Sequence, residues 1–171
     1  EGGGRATFSQ VMGVFPDSIH RDYLGISGLQ LSEKYHILSG NLKFIYFPND
    51  SWKFSSVTSR GFHVPNVDDM LKVFEKGDNI TIPNTELKPE FSVSQEFSIT
   101  KSISKNITLH AVGFYTTLTN AIIKDSTRVN INPDPNGAPF WASTIVYNGE
   151  QMYAFANQNR GEPVGIYGLS F

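Results

Sequence analysis

Four histidines, sixteen aspartates and glutamates and no cysteine are the side chains of this 171-residue chain that could titrate or ligate near neutral pH. The missing cysteines exclude disulfides and thiolate metal sites. His20 and His36 stand isolated, and no histidine pair has the spacing of a metal site. His110 alternates with Thr108 onto the polar side of a strand pattern, where a hydrogen bond is its natural use. His63, Arg60, Asp68 and Asp69 crowd into one stretch, Ser59-Arg60-Gly61-Phe62-His63-Val64-Pro65-Asn66-Val67-Asp68-Asp69. The two aspartates serve either as ligands or as residues at the positive end of a helix. Phe140 and Trp141 offer apolar area to an external ligand from a turn-rich segment, Asp125 to Ala142. There is no Gly-x-Ser-x-Gly, no His-Glu-x-x-His and no phosphate loop, and the carboxylates are scattered rather than paired, so the sequence reads as no enzyme.

Strands must position these groups. His36 to Phe47 alternates with a period of two, placing Leu38, Gly40, Leu42, Phe44 and Tyr46 on one face. Pro48 to Ser51 suits a hairpin connection, and Trp52 to Phe62 forms the next strand. Asn66 to Glu75 predicts a short helix capped by Asn66. From Phe91 to Lys101 the alternation is cleanest: Phe91, Val93, Gln95, Phe97 and Ile99 oppose Ser92, Ser94, Glu96, Ser98 and Thr100. Ser102 to Asn106 reads as a turn, and a further strand starts at Ile107. Thr144 to Asn148 and Met152 to Ala156 flank Asn148-Gly149, a hairpin signal. Val164 to Phe171 closes the chain as a strand, and Ala6 to Phe15 has weaker strand character. Ser18 to Glu33, interrupted by Gly25 and Gly28, reads as a loop. The pattern predicts about seven strands, with short turns alternating with long loops.

The bulk properties narrow the class. A formal charge of −2 without any Lys/Arg cluster carries no nucleic-acid footprint. No apolar run is long enough for a membrane helix, which leaves open a barrel whose strands are only half apolar. Spanning strands need roughly 9–11 residues, and four of the strands read above reach that length. A small polar face of Ser92, Ser94, Ser98 and Thr100 suits a watery or plugged lumen better than the greasy interior of a sandwich. Glu1 to Arg5 has no apolar signal region.

The order of the pieces carries a resemblance. Leu42 to Pro48 followed by Trp52-Lys53-Phe54 is similar to the "LGLVYRPTDDWKL" hairpin of TonB-dependent receptors. The stretch from Ser59 to Asp69 resembles their "SRGFRAPNVDDL", and Val73-Phe74-Glu75 its "KVFD" continuation. Ile82 to Glu90 resembles "VPNPDLKPE", Gly113 to Ile122 resembles "GYYTLLDNAI", and Asn157 to Gly168 the later "QNAAFARVYG". The chain thus resembles the Bacteroidetes-type TonB-dependent outer-membrane receptors from about residue 37 onward. Such receptors combine an N-terminal plug with a 22-stranded barrel, which 171 residues cannot supply. Residues 1–171 are therefore expected to be part of one barrel, from its later half and without a recognisable plug. The implied fold is all-β: antiparallel up-and-down transmembrane strands forming a partial barrel, with long extracellular loops.

The resemblance also implies function. It points to energy-coupled uptake of a scarce nutrient across the bacterial outer membrane, with haem, a siderophore or another bulky solute as cargo and no resident cofactor. Partners would be membrane lipid, the TonB complex through a plug outside this chain, the solute and a surface lipoprotein. In haem receptors of this kind a histidine between the FRAP and NPxL boxes can ligate iron. Here His63 replaces the Arg of FRAP, Thr85 the Pro of NPxL, and no histidine lies between Pro65 and Asn84. His63 is then either a haem ligand or a polar residue at a strand end. Arg60 is expected to meet carboxylates of the lumen or plug, His110 to line the lumen, and Tyr46, Trp52 and Tyr115 to sit at the membrane interfaces. The alternative from a different class is a secreted, soluble β-sandwich that binds a ligand.

Overall fold

The computed structural model describes residues 1–14, 30–130, 138 and 140–171. Six long strands form one antiparallel sheet: β1 (Gly2–Val14), β2 (Gln30–Asn49), β3 (Trp52–His63), β6 (Glu90–Ser104), β7 (Ile107–Thr119) and β13 (Val164–Ser170). They follow one another across the sheet in chain order, as a meander does. The links between β2 and β3 and between β6 and β7 are tight turns at one end of the sheet. The long links, residues 64–89 and 120–163, join the strands at the other end, where β1 ends with Val14 paired to Gln30 of β2. That asymmetry is the outer-membrane meander pattern.

Cross-strand register fixes the two faces. Leu42, Thr58, Gln95 and Tyr115 share one row, and the next row toward the turns holds Phe44, Ser56, Phe97 and Gly113. Phe8, Leu38, Phe44, Phe97, Leu109 and Leu169 all lie on that face and are all exposed. The opposite face carries small polar side chains on β3, β6 and β7, with Ser55 bonded to Ser98 at 2.8 Å and Thr116 to Ser94 at 2.9 Å, beside larger apolar ones at Ile45, Phe114 and Ile166. Tyr115 lies midway along the apolar face beside Gln95, away from either end. A soluble sandwich would bury an apolar face under a second layer. Here it lies open, and the sandwich alternative fails on that point.

The buried residues collect instead among the long links. The helix α1 (Val67–Leu71) is closed by a capping box in which Asn66 accepts from the Asp69 N–H and Asp69 accepts from the Asn66 N–H. Its Met70 and Leu71 pack with Leu31 and Leu87. The helix ends at Leu71, shorter than the expected Asn66 to Glu75. The residues after it enter a hairpin of β4 (Phe74–Lys76) and β5 (Asn79–Ile82) that turns through Gly77 at φ +55°. Residues 30–33, expected as loop, belong to β2; the rest of Ser18 to Glu33 lies outside the described residues, apart from those four. Asp125 to Ala142 is not wholly loop. It includes the end of β8 (Ile122–Ser126), then β9 (Val129–Asn130) and β10 (Trp141–Ala142).

The Asn148-Gly149 hairpin forms as expected between β11 (Thr144–Tyr147) and β12 (Glu150–Asn159), both turn residues taking positive φ, 51° and 85°. It is no membrane hairpin, however. β12 pairs in parallel with β5 and antiparallel with β8, making a small second sheet over a core of Ile80, Ile145, Tyr147 and Met152.

Candidate functional site

Three asparagines lock the long links into one layer. Asn84 accepts from the Glu86 N–H at 3.0 Å, a local turn, and donates to the Asn157 carbonyl at 2.8 Å. Asn157 in turn donates to the Asp69 carbonyl at 2.8 Å. Asn159 accepts from the Lys88 N–H at 2.7 Å and donates to the carbonyls of Lys88 and Asn120, each at 2.8 Å. Glu90, the first residue of β6, accepts from the Ile122 N–H at 3.0 Å. Side chains that bond to distant backbone in this way replace the ladder bonds an irregular segment lacks.

Beside these clamps lies a groove of about 570 Å³, lined by Asn84, Lys88, Arg128, Asn159 and Arg160 among others. Lys88, Arg128 and Arg160 bring three cations to it and Glu86 one carboxylate. None of the three cations has an ion-pair partner among the described residues. A groove with surplus unpaired positive charge favours a ligand bearing carboxylate or another anionic group.

His63 stands on the polar face at the top of β3, its Nε2 3.3 Å from Asp69 Oδ2. Asp69 Oδ2 also accepts from the Asn66 N–H at 3.0 Å, so the cap of α1 holds the carboxylate that orients the imidazole. Hydrogen bonds then run from Asp69 through Asn157 to Asn84 at the groove. A carboxylate on one ring nitrogen is the arrangement that orients ligating histidines. Asp68, exposed in the first turn of α1, makes no such contact among the described bonds.

The remaining expected site residues lie elsewhere. Arg60 shares its row with Gly40 and Val93 on the apolar face, and its guanidinium lies over the Phe91 ring, 5.1 Å from the centroid. The expected pairing with lumen carboxylates is therefore corrected: an even-numbered position in β3 points to the other side of the sheet. His110 lies on the polar face opposite Thr100, near the short turns. Trp141 pairs with Asn130 in the short β9–β10 ladder and is 58% exposed. No cluster of three or more metal-ligating side chains occurs among the described residues. Burial, then the neighbouring Glu75, pushes the Tyr147 phenol up from its ordinary value in the core of the small sheet.

A family model, "TonB dependent receptor-like, beta-barrel", matches residues 2–171. The chain belongs to that family. Its members are receptors rather than enzymes. Solved receptors share the fold: a double mutant of the hemophore receptor HasR of Serratia marcescens, in complex with its hemophore HasA and heme, superposes with a TM-score of 0.65 at 13% identity. The siderophore receptor PirA from Acinetobacter baumannii gives 0.53 at 15% identity. The match covers 98% of this chain but 26% of HasR, and 83% of this chain but 22% of PirA, so the chain spans about a quarter of such a receptor. No curated protein matches the chain.

The groove and the His63 cluster lie where the long links meet the ends of β3, β6 and β7. Sequence reasoning missed the asparagine clamps and the groove cations. The local signal was present in Asn84-Thr85-Glu86-Leu87 and Asn157-Gln158-Asn159-Arg160, but the partners lie some 70 residues apart.

Proposed function

We propose that this chain is part of an outer-membrane receptor that takes up a scarce, bulky, anionic solute, with haem and siderophores as the cargo classes that fit. The carrying observation is the single-layer sheet, with large exposed apolar side chains on one face, small polar side chains of β3, β6 and β7 on the other, and links 64–89 and 120–163 at one end. In hydrocarbon only a closed set of hydrogen-bonded strands or a helix satisfies the backbone. The apolar face then meets lipid and the long links face the cell exterior. The unpaired cations of the mouth groove favour an acidic cargo, and both haem propionates and many siderophores are acidic. In this reading His63, oriented by Asp69, touches an iron-bearing ligand. Uptake would be coupled to the TonB complex through a plug supplied by the rest of the receptor, and a surface lipoprotein would dock on the outer loops.

The test is growth of the source cell on haemin or on a ferric siderophore as sole iron source, with and without the intact receptor gene. Loss of growth on one source, repeated when TonB is removed, supports the reading. Unchanged growth on both, with the polypeptide recovered from the soluble fraction, contradicts it.

A further inference from the structure

Two cation–aromatic pairs lie on the apolar face, one near each end. Arg60 sits over Phe91 at 5.1 Å, and Lys101 over Trp52 at 4.5 Å. Trp52 also stacks on Phe54, ring centroids 5.7 Å apart, and Phe54 neighbours Tyr46 at 6.5 Å, an aromatic belt at the short-turn end. Phe91 and Lys101 are ten residue steps apart on β6. Steps of roughly 3.4 Å on a strand tilted by about 40° rise about 26 Å, close to the ~25 Å apolar band of outer-membrane barrels.

What lies between the pairs agrees with hydrocarbon. Val93, Phe97 and Ile99 are exposed there. The polar side chains on that face of the β3–β6 pair satisfy one another: Thr58 donates to Gln95, and Gln95 donates to Ser56 at 3.0 Å. A polar group in lipid needs such an internal partner. Neither cation has a carboxylate partner among the described residues, because Glu90 and Glu96 of β6 point to the opposite face.

We propose that Arg60 and Lys101 each bind the phosphate of a lipid headgroup, at the outer and inner surface of the membrane respectively, and so fix the height of the barrel in the bilayer. The aromatic rings hold the two cations at the boundary, and the lipid phosphate supplies the anion that the protein does not. This inference rests on the membrane-spanning reading of the sheet.

The test uses the full-length receptor in vesicles of phosphatidylethanolamine and phosphatidylglycerol. Native mass spectrometry after gentle detergent extraction counts retained phospholipid. Arg60→Gln and Lys101→Gln are each expected to lose one retained phospholipid while keeping heat-modifiable mobility on a gel. Retention of the full complement by both variants overturns the proposal. Nitroxide labels on single cysteines at Thr119, Phe97 and Leu109 report depth with both cations intact, since Thr119 shares the row of Phe91 and Leu109 that of Lys101. Phe97 is expected deepest, with the other two near the phosphates. A deep Phe97 with Thr119 far from the phosphates overturns this proposal alone, whereas a water-exposed Phe97 overturns the membrane reading as well.

Discussion

Phe97 in the six-stranded sheet is 61% exposed, while Ile80 in the small sheet of the long links is 0% exposed. The two regions are built for different solvents. The links fold as a water-soluble unit does, with an apolar interior formed by Ile80, Ile145, Tyr147 and Met152 and by the Met70 cluster. The large sheet reverses that arrangement, presenting Phe8, Leu42, Phe44 and Leu169 outward. Its strands are held by ladder bonds rather than by a core, and only an apolar surrounding makes the outward face favourable. One chain thus carries two opposite rules for where apolar residues belong, and the boundary between them lies near the tops of β3, β6 and β7.

Substitutions break this contrast in graded ways. Phe97→Arg places a charge on the lipid face near mid-membrane and is expected to cost about 2–4 kcal/mol of barrel stability. Ser98→Arg, one residue along on the polar face, should cost far less; denaturant titration of the full receptor in vesicles compares them. Asn157→Ala removes a donor to the Asp69 carbonyl and frees a buried segment of the links, at roughly 1–3 kcal/mol. It should speed proteolysis of residues 64–89 while leaving the heat-modifiable mobility of the barrel unchanged. Ile80→Val, a methylene lost from the core of the small sheet, is expected to cost about 0.5–1.5 kcal/mol, read as faster amide exchange confined to the links.

The smallest effect concerns pH. The Tyr147 phenol has a folded pKa raised above its ordinary value. The stability it contributes is therefore full below the unfolded phenol's pKa of about 10 and is lost as pH rises through the higher folded value. The links should loosen in that alkaline range, and Tyr147→Phe should remove that part of the pH dependence while the large sheet is unaffected.

The same contrast explains what the amino-acid order could disclose. Alternation along Phe91 to Lys101 specified both faces of β6, because every second residue there answers to a single solvent. Asn148-Gly149 specified its turn, because few other dipeptides take positive φ twice. Val73 and Phe74 misled: they continue the apolar spacing of α1, but the helix stops at Leu71, and pairing of Phe74–Lys76 with Asn79–Ile82 makes Phe74 strand. Trp141 and Val129 were hidden in a turn-rich stretch for the same reason, since their order comes from partners across the link layer. Arg60 shows the finer failure. Its neighbourhood was legible, but the face it takes depends on a register of one residue, and that decides between a lumen carboxylate and a lipid phosphate.

If the sheet spans the membrane, the Phe97 face meets lipid and the His110 face meets water. Single cysteines at Phe97 and at His110 of the full receptor, in isolated outer membranes, would be treated with a charged, membrane-impermeant maleimide. Rapid labelling is expected at position 110, and none at position 97 until the membrane is dissolved. Equal labelling at both positions in intact membranes would contradict this.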